Sequence, residues 1–428
     1  MAKPKEDMDV WFLHSGETVP TDGDVRLFRY GQMCQMLAAD GHTARHWASG
    51  FNHFTKQHRC QQSETHEVEL GYFVELLATS GYKQHISFQR IWSHQGVAAE
   101  FRKHARQRPR PDIIVASLPT LENCEAALDY GREFGVPVVV DVRDLWPDAF
   151  LTPVPSFLRP LVKPLLFSFE RQAQRICREA TTLVGVSEEY LDWGLQKAGR
   201  SRRDGDRVIH HAFERPQLTA EAEASLATKW EPLGITAERG LRVCYFGTLG
   251  RSAGIGVLAQ TARLLAERGR NDIEFVICGG GPREQELKSA VDGLPNVLLP
   301  GWVKSDEVAW MMSRSDIGFA AYEANVFQSL PNKPIEYLGG GLPVLTTLPG
   351  ELADLLHKSD CGESFNVSDG AGMANWLEMC ADNPQRRNEM AANASRLYQE
   401  QFAASKVYRE FINYLLDISA PTAIMRAA

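Results

Sequence analysis

One order of features occurs twice in this chain: a short apolar run, a glycine-bearing loop, and a stretch with helical periodicity. The first instance starts at Asp9–Leu13 (DVWFL), passes Gly16 and Gly23 in HSGETVPTDGD, and runs into Val25–Ala39. The second starts at Leu241–Phe246 (LRVCYF) and passes through GTLGRSAGIG into VLAQTARLL. Strand, glycine loop, helix is the opening unit of a doubly wound α/β domain. Two openings predict two such domains, and a chain of 428 residues has room for two or three. Ligands of these sheets bind outside the carboxyl ends of the strands. The 14–24 loop, with Gly16 and Glu17, and the loop that begins at Gly247 are therefore expected to face binding sites.

The remaining apolar runs fill in both sheets. In the first half, Thr43–Ala48, Arg110–Leu118, Val136–Val142, Thr182–Val186 and Val208–Phe213 read as strands. Asn123–Phe134 reads as a helix closed by Gly135, and Ser187 as the cap of another. In the second half, Ile273–Cys278, Asn296–Leu299, Ile317–Ala320 and Leu342–Thr347 read as strands. Asp306–Ser313, Glu351–His357, Asp369–Cys380 and Pro384–Gln401 read as helices. Glu214–Gly240 is polar and holds Pro216, Pro232 and Gly234, which suits a linker, although Thr219–Trp230 has helical character. The expected division is a first domain over 1–215, a linker over 216–240, a second domain over 241–400, and a last helix over 401–428. Val407, Phe411, Tyr414 and Leu415 give that helix an apolar stripe.

Charge and cysteine usage exclude some classes. A net charge of −8 and an isoelectric point near 5.9 argue against a general nucleic-acid binder. The eight cysteines are scattered with no C-x-x-C pair, as expected in a reducing, cytoplasmic compartment. MAKPKEDMDV lacks the apolar core of a signal peptide, and no stretch is long and apolar enough to span a bilayer.

Several polar groups fall where sites are expected. Val136–Val142 runs directly into Arg143 and Asp144. Such a pair at a strand end is either an internal ion pair or part of a site, with equal weight. SGFNHFTKQHR, with His53, Lys56, His58 and Arg59, is a candidate basic rim. The histidine spacings lack a third convergent ligand, so no metal site is expected. VPSFLRPLVKPLLFSFERQAQR has an apolar face with basic flanks. That suits packing on the first domain or contact with an anionic bilayer surface. Finally, ANVFQSLPNKPIEYLGGGLPVLTTLPG reads as loop, short helix, glycine turn and buried strand. Ser329 is a candidate cap, and Pro331 suits the first turn. A helix start invites phosphate, Lys333 adds charge there, and Glu336 one turn on suits sugar hydroxyls.

The run PNKPIEYLGGGLPVLTT resembles the nucleotide-sugar motif of the retaining glycosyltransferases of glycosyltransferase family 4. Its similarity covers most of the chain and is strongest from Val243 to Phe365. The phrases SGFNHFTKQHR and DVRDLWPD resemble the branch that builds bacterial O-antigen, capsule and other exopolysaccharides. The resemblance implies a GT-B fold, with two Rossmann-like domains facing across a cleft. It implies transfer of a hexose or N-acetylamino sugar, with retention, from a nucleotide diphosphate sugar, most simply a UDP-sugar. The acceptor would be a saccharide or polyprenyl-linked saccharide at the inner membrane face, reached by a cytoplasmic protein in peripheral contact with the membrane. No metal or further cofactor is implied.

The resemblance also assigns roles. Donor binding falls to Gly247, Arg251, Val303, Gln328, Ser329, Leu330, Asn332, Lys333 and Glu336. Within that set, Lys333 and Arg251 take the phosphates, Glu336 the ribose, and the segment at Val303 the base. Asp144 or Arg143 lies beside the transferred sugar as the catalytic position. Gly16, Glu17 and His53 fall on the acceptor side. Two departures stand out. The family's diphosphate Arg and Lys fall on Thr248 and Ala253, and the first glutamate of its paired signature falls on Gln328. A non-catalytic nucleotide-sugar-binding scaffold therefore stays open. A nucleotide-sugar 2-epimerase also stays open, but its further acidic and histidine residues cannot be placed.

Overall fold

The computed structural model describes residues 7–84, 87–152, 154–236, 240–324, 326 and 328–419. Asn325 and Phe327 of the donor motif, the end of the expected linker and positions 420–428 lie outside them. The chain divides into two compact units. Unit 1 is Met1–His210 with Val407–Ala428, and unit 2 is His211–Lys406. The division thus falls at His210/His211 and not within 216–240. The polar segment expected as linker instead carries a helix of unit 2, Ala220–Trp230, capped by Thr219.

Unit 1 opens with β1 (Asp9–Leu13), α1 (Arg29–Ala39), β2 (Thr43–Ser49), β3 (Glu64–Glu69), β4 (Tyr72–Leu77) and α2 (Phe88–Ala105). It continues with β5 (Ile113–Leu118), α3 (Leu121–Phe134), β6 (Val138–Val142), α4 (Arg159–Val162), α5 (Phe167–Glu179), β7 (Thr182–Gly185), α6 (Glu188–Ala198) and β8 (Arg207–Val208). The strands lie in the order β3-β4-β2-β1-β5-β6-β7-β8, and only β3 runs antiparallel to its neighbour. Strand order reverses between β1 and β5, which places a topological switch point beyond their carboxyl ends. α1 begins four residues later than its periodicity suggests, because Val25–Leu27 is held in the preceding loop. There the Arg26 carbonyl accepts from the Thr18 hydroxyl at 2.6 Å. Trp11 and Trp47, both fully buried with centroids 4.9 Å apart, lock β1 to β2 and meet Phe101 of α2 edge-on. Such aromatic contacts add to the large apolar burial of the rings themselves.

Unit 2 holds α7 (Ala220–Trp230), β9 (Leu241–Phe246), α8 (Ile255–Glu267), β10 (Ile273–Cys278), α9 (Glu284–Ala290), β11 (Val297–Gly301) and α10 (Ser305–Met312). After these come β12 (Ile317–Ala320), α11 (Asn332–Gly339), β13 (Val344–Thr346), α12 (Glu351–Ser359), β14 (Gly362–Ser364), α13 (Gly370–Asp382) and α14 (Pro384–Gln401). Its sheet is parallel throughout, in the order β11-β10-β9-β12-β13-β14. Here the order reverses between β9 and β12. α15 (Ala404–Ser419) ends the described chain, and from Val407 onward it belongs to unit 1. There the Tyr414 hydroxyl donates to the Gly205 carbonyl at 2.6 Å and meets the Thr182 hydroxyl at 2.7 Å. The Arg29 guanidinium sits over the Phe411 ring at 4.8 Å.

Candidate functional site

The unit 2 site is built at the switch point between β9 and β12. β9 is buried along its whole length and is followed by Gly247, where φ is +145°. A Cβ at Gly247 would lie 2.3 Å from Lys333 Cε, so only glycine lets the lysine chain cross the mouth of the strand. The loop that follows is tied down by backbone bonds. Gly247 N donates to Cys278 O at 3.0 Å, Leu249 N to Gly280 O at 2.9 Å, and Gly254 N to Ala321 O at 3.1 Å. The G-G-G-P run after β10 makes this packing possible, since a Cβ at Gly279 would stand 2.0 Å from the Gly247 carbonyl oxygen. Arg283, which sequence reasoning passed over, is the side-chain clasp. It donates to the Ala253 carbonyl and to Glu323 Oε1, both at 2.8 Å.

α11 starts at Asn332 with Pro331 as its cap residue, and no side chain caps it. Ser329 is thus not the expected cap, because its hydroxyl donates to Glu351 Oε2 at 2.7 Å. The first turn offers the amides of Asn332 and Lys333, while Pro334 has none. Lys333 Nζ donates to the Tyr245 hydroxyl at 2.9 Å and lies 4.3 Å from the Tyr245 ring centroid and 5.5 Å from that of Tyr322. Burial pushes the Lys333 ammonium down to about 8, with the Glu336 charge opposing that shift. At neutral pH the group therefore stays charged, in a setting poorer in water than the surface. Glu336 is half-buried one turn along.

The other expected donor residues are distributed as follows. Arg251, Thr248, Gln328 and Asn332 are exposed, Ala253 is buried, and Leu330 is a core side chain. Val303 packs half-buried against the core beside Trp302, which is 71% exposed. The structure thus groups Gly247, Lys333 and Glu336 with Tyr245 and Tyr322. The two tyrosines had no sequence signal beyond lying at strand ends.

The unit 1 site lies beyond β1 and β6. His14 Nδ1 accepts from the amides of Gly16 at 3.0 Å and Glu17 at 3.1 Å, so the ring is neutral. Burial, then the Arg143 charge, pushes His14 down to about 3. Glu17 is buried, pairs with Arg143, and accepts from the Tyr30 amide in the first turn of α1 at 3.0 Å. Burial would raise the Glu17 carboxyl, but Arg143, His14 and His46 outweigh it and hold it at about 2. Arg143 also lies over the Tyr30 ring at 5.2 Å. The Tyr30 hydroxyl donates to Asp141 Oδ2 at 2.7 Å, and the same oxygen meets Arg29 Nε at 3.1 Å.

Arg143 and Asp144 therefore do not form the adjacent ion pair that was one expectation. Arg143 is held by Glu17, while Asp144 accepts from the Leu145 amide at 2.8 Å and its carboxyl is pushed up by burial. Nor is Arg59 part of an open basic rim. It grips Asp22 at 2.6 and 2.8 Å, and donates to the carbonyls of Ser49 and Glu17 at 2.9 Å each. His53 meets the Tyr82 hydroxyl at 2.5 Å. Among the described residues no group of three or more His, Cys, Asp or Glu is placed to hold a metal ion, and no helix is long and apolar enough to cross a membrane.

Comparison with known proteins places both units. The family profile described as "Glycosyl transferase 4-like domain" matches residues 29–209, and "Glycosyl transferases group 1" matches residues 240–383. The alpha-D-kanosaminyltransferase of Streptomyces kanamyceticus is 24% identical over 290 residues, covering 65% of this chain and 72% of that protein. Among solved structures, Anabaena HepE in complex with UDP superposes with a TM-score of 0.66 at 15% identity, covering 96% of this chain and 100% of that one. Sucrose-phosphate synthase from Thermosynechococcus elongatus gives a TM-score of 0.71 at 13% identity, covering 96% and 99%. A glycosyltransferase domain in each unit, on a fold shared with these enzymes, makes the chain a glycosyltransferase of the two-domain GT-B class.

Proposed function

We propose that the chain transfers a hexose or N-acetylamino sugar from a UDP-sugar to a saccharide acceptor, with retention and without a metal ion, in the building of a bacterial surface polysaccharide. The observation that carries the donor assignment is Lys333, whose ammonium is held half-buried at the start of α11 against the glycine that follows β9. Diphosphate oxygens would take the amides of Asn332 and Lys333 together with that ammonium, and Glu336 one turn on would take the ribose hydroxyls. The charge that develops on the departing UDP is then stabilised by preorganised dipoles and one cation. HepE, with the same fold, has been solved with UDP and with UDP-glucose, which supports a UDP-sugar over other donors.

On unit 1, Arg143 is the polar group after β6 and Asp144 follows it. Arg143, fixed by Glu17 and Tyr30, would orient the acceptor or the transferred sugar. A polyprenyl-linked acceptor is favoured by a surface of this unit. Phe157, Leu161, Leu165 and Phe167 are 59–77% exposed, and Arg159 and Lys163 lie among them. Apolar side chains with basic neighbours suit the face of an anionic bilayer.

The test is thermal melting with a panel of nucleotides and nucleotide sugars, with and without EDTA. A ligand that binds only the folded chain raises its melting point. The expected result is a rise with UDP or one UDP-sugar that EDTA leaves unchanged. No rise with any nucleotide removes the donor assignment, and a rise abolished by EDTA removes the metal-free mechanism.

A further inference from the structure

Beside the Glu17–Arg143 pair, unit 1 holds a second group of cations that the donor chemistry does not use. Lys56 stands in the loop after β2 with φ of +58°, a left-handed conformation uncommon for a residue with a side chain. The loop is built to hold it there. The Asn52 side chain accepts from the amides of Phe54 at 2.9 Å and Thr55 at 3.1 Å, the Asn52 carbonyl accepts from Lys56 N at 3.0 Å, and Asn52 N donates to the Gln57 carbonyl at 2.8 Å. Gly81 leaves room for the loop, since a Cβ there would lie 2.5 Å from the Phe51 ring.

The Lys56 ammonium is covered, and among the described residues it has no hydrogen-bond partner. It lies 4.7 Å from the centroid of Tyr82. The Arg90 guanidinium approaches the same ring at 5.8 Å and that of Trp146 at 4.7 Å. Arg90 sits in the first turn of α2, where Ser87 caps its amide, and its Nε faces His94 Nε2 at 3.4 Å. Burial lowers both cations, and the nearness of Arg90 lowers Lys56 further. The carboxylates within electrostatic reach, Asp144 and Glu122, lie toward Arg90. Two like charges turned toward one phenol ring, one of them with no acceptor, form an arrangement that an anion would relieve. Backbone held in a sparsely populated conformation is also more frequent at binding sites than elsewhere.

We propose that Lys56 and Arg90 form an anion subsite on unit 1 for a phosphate or diphosphate group of the acceptor, with Tyr82 and Trp146 as its aromatic wall. Only the word acceptor rests on the function proposed above, because the anion binding itself stands on unit 1 alone. A diphosphate fits two separated cations better than a single carboxylate does, and the flat rings suit the sugar attached to it.

The experiment is calorimetric titration with inorganic pyrophosphate of the full chain carrying Lys333→Ala, which removes the donor-site cation and serves as the parent of the further variants. The variants are Lys56→Asn and Lys56→Gly, which remove the ammonium while accepting the left-handed backbone, and Arg90→Gln. The expected result is binding by the parent chain that weakens about tenfold or more in each variant, as for loss of a charge-assisted bond. UDP affinity, measured with Lys333 intact, should be unchanged by all three. Two further arms separate the sources. One compares glucose 1-phosphate with glucose. The other compares phosphatidylcholine vesicles carrying farnesyl diphosphate with plain ones. Lys56-dependent binding in the first arm assigns a soluble sugar phosphate, and in the second a lipid-linked one. Equal pyrophosphate affinity in parent and variant chains, or no binding by the parent chain, overturns the subsite. If UDP fails to bind the chain with Lys333 intact while the Lys56-dependent response persists, the donor reading falls and this one stands.

Discussion

Lys333 is closely held in the donor site. It crosses Gly247, donates to Tyr245, and carries its charge in a half-buried setting. Replacement by alanine should lower the transfer rate by roughly 10²–10³, the range for losing one preorganised donor to a developing anion. Melting should be little affected, because the hydrogen bond that the lysine makes among the described residues is to a phenol. Gly247→Ala should do comparable damage by displacing the same chain. The pH dependence has a definite sign. With its ammonium depressed to about 8, Lys333 loses its charge as pH rises through that value. UDP affinity should therefore weaken above about pH 8, and a Lys333→Met chain should bind weakly with no such limb. Titrations of UDP at a series of pH values read both effects. The sequence exposed Lys333 and Glu336 because they lie in one short motif. It did not expose Tyr245, Tyr322 or Arg283, because they reach the site from separate strand ends that only the sheet order brings together.

At the scale of elements, the two strand–loop–helix openings and most parallel strands were legible. Buried strands are continuous apolar runs, and Val138–Val142 or Ile273–Cys278 have few other readings. The β3–β4 hairpin and α2 were not. β3 (ETHEVE) lies at the sheet edge with mostly exposed side chains, so it carries no apolar face to read. α2 leaves Phe88 and Trp92 exposed, which blurs its periodicity. That gap hid Tyr82 and Arg90, and with them the anion subsite. Close contacts between elements were equally invisible. Gly318 of β12 faces Tyr337 of α11, and a Cβ there would lie 2.2 Å from the ring. Tyr337 in turn accepts from the Phe246 amide at 3.0 Å, at the head of the donor loop. Gly318→Ala should destabilise unit 2 by about 1–3 kcal/mol, the usual range for overpacking, and weaken UDP binding as α11 shifts. Denaturant titration and calorimetry on one variant check both parts.

At the scale of the molecule, the charges of unit 1 set its response to acid. Glu17 is held at about 2 against an ordinary value of 4.5, so the stability it contributes is present above 4.5 and is lost as pH falls through about 2. His14 and His46 are buried neutral, at about 3 and about 4 against 6.5. The unfolded chain therefore binds protons that the folded chain refuses once pH drops below 6.5, and stability falls over the same interval. These three groups act in one direction, as does His94, which burial holds at about 3, while Asp9, which burial pushes up to about 6, opposes them below about pH 6; all lie in unit 1. Melting should fall steadily from about pH 6.5 downward, with unit 1 leading. His14→Asn keeps an acceptor near Nδ1 for the Gly16 and Glu17 amides but cannot be protonated. It should flatten part of that slope while leaving the melting point at pH 8 nearly unchanged. Glu17→Gln should behave differently. It strands the Arg143 guanidinium without its counter-charge, a loss of about 3–5 kcal/mol for a broken buried pair, and so lowers the melting point at pH 8 as well. A His14→Asn chain with the native slope between pH 6.5 and 4 would show that His14 does not carry this response, leaving His46, His94 and Glu17 as its source.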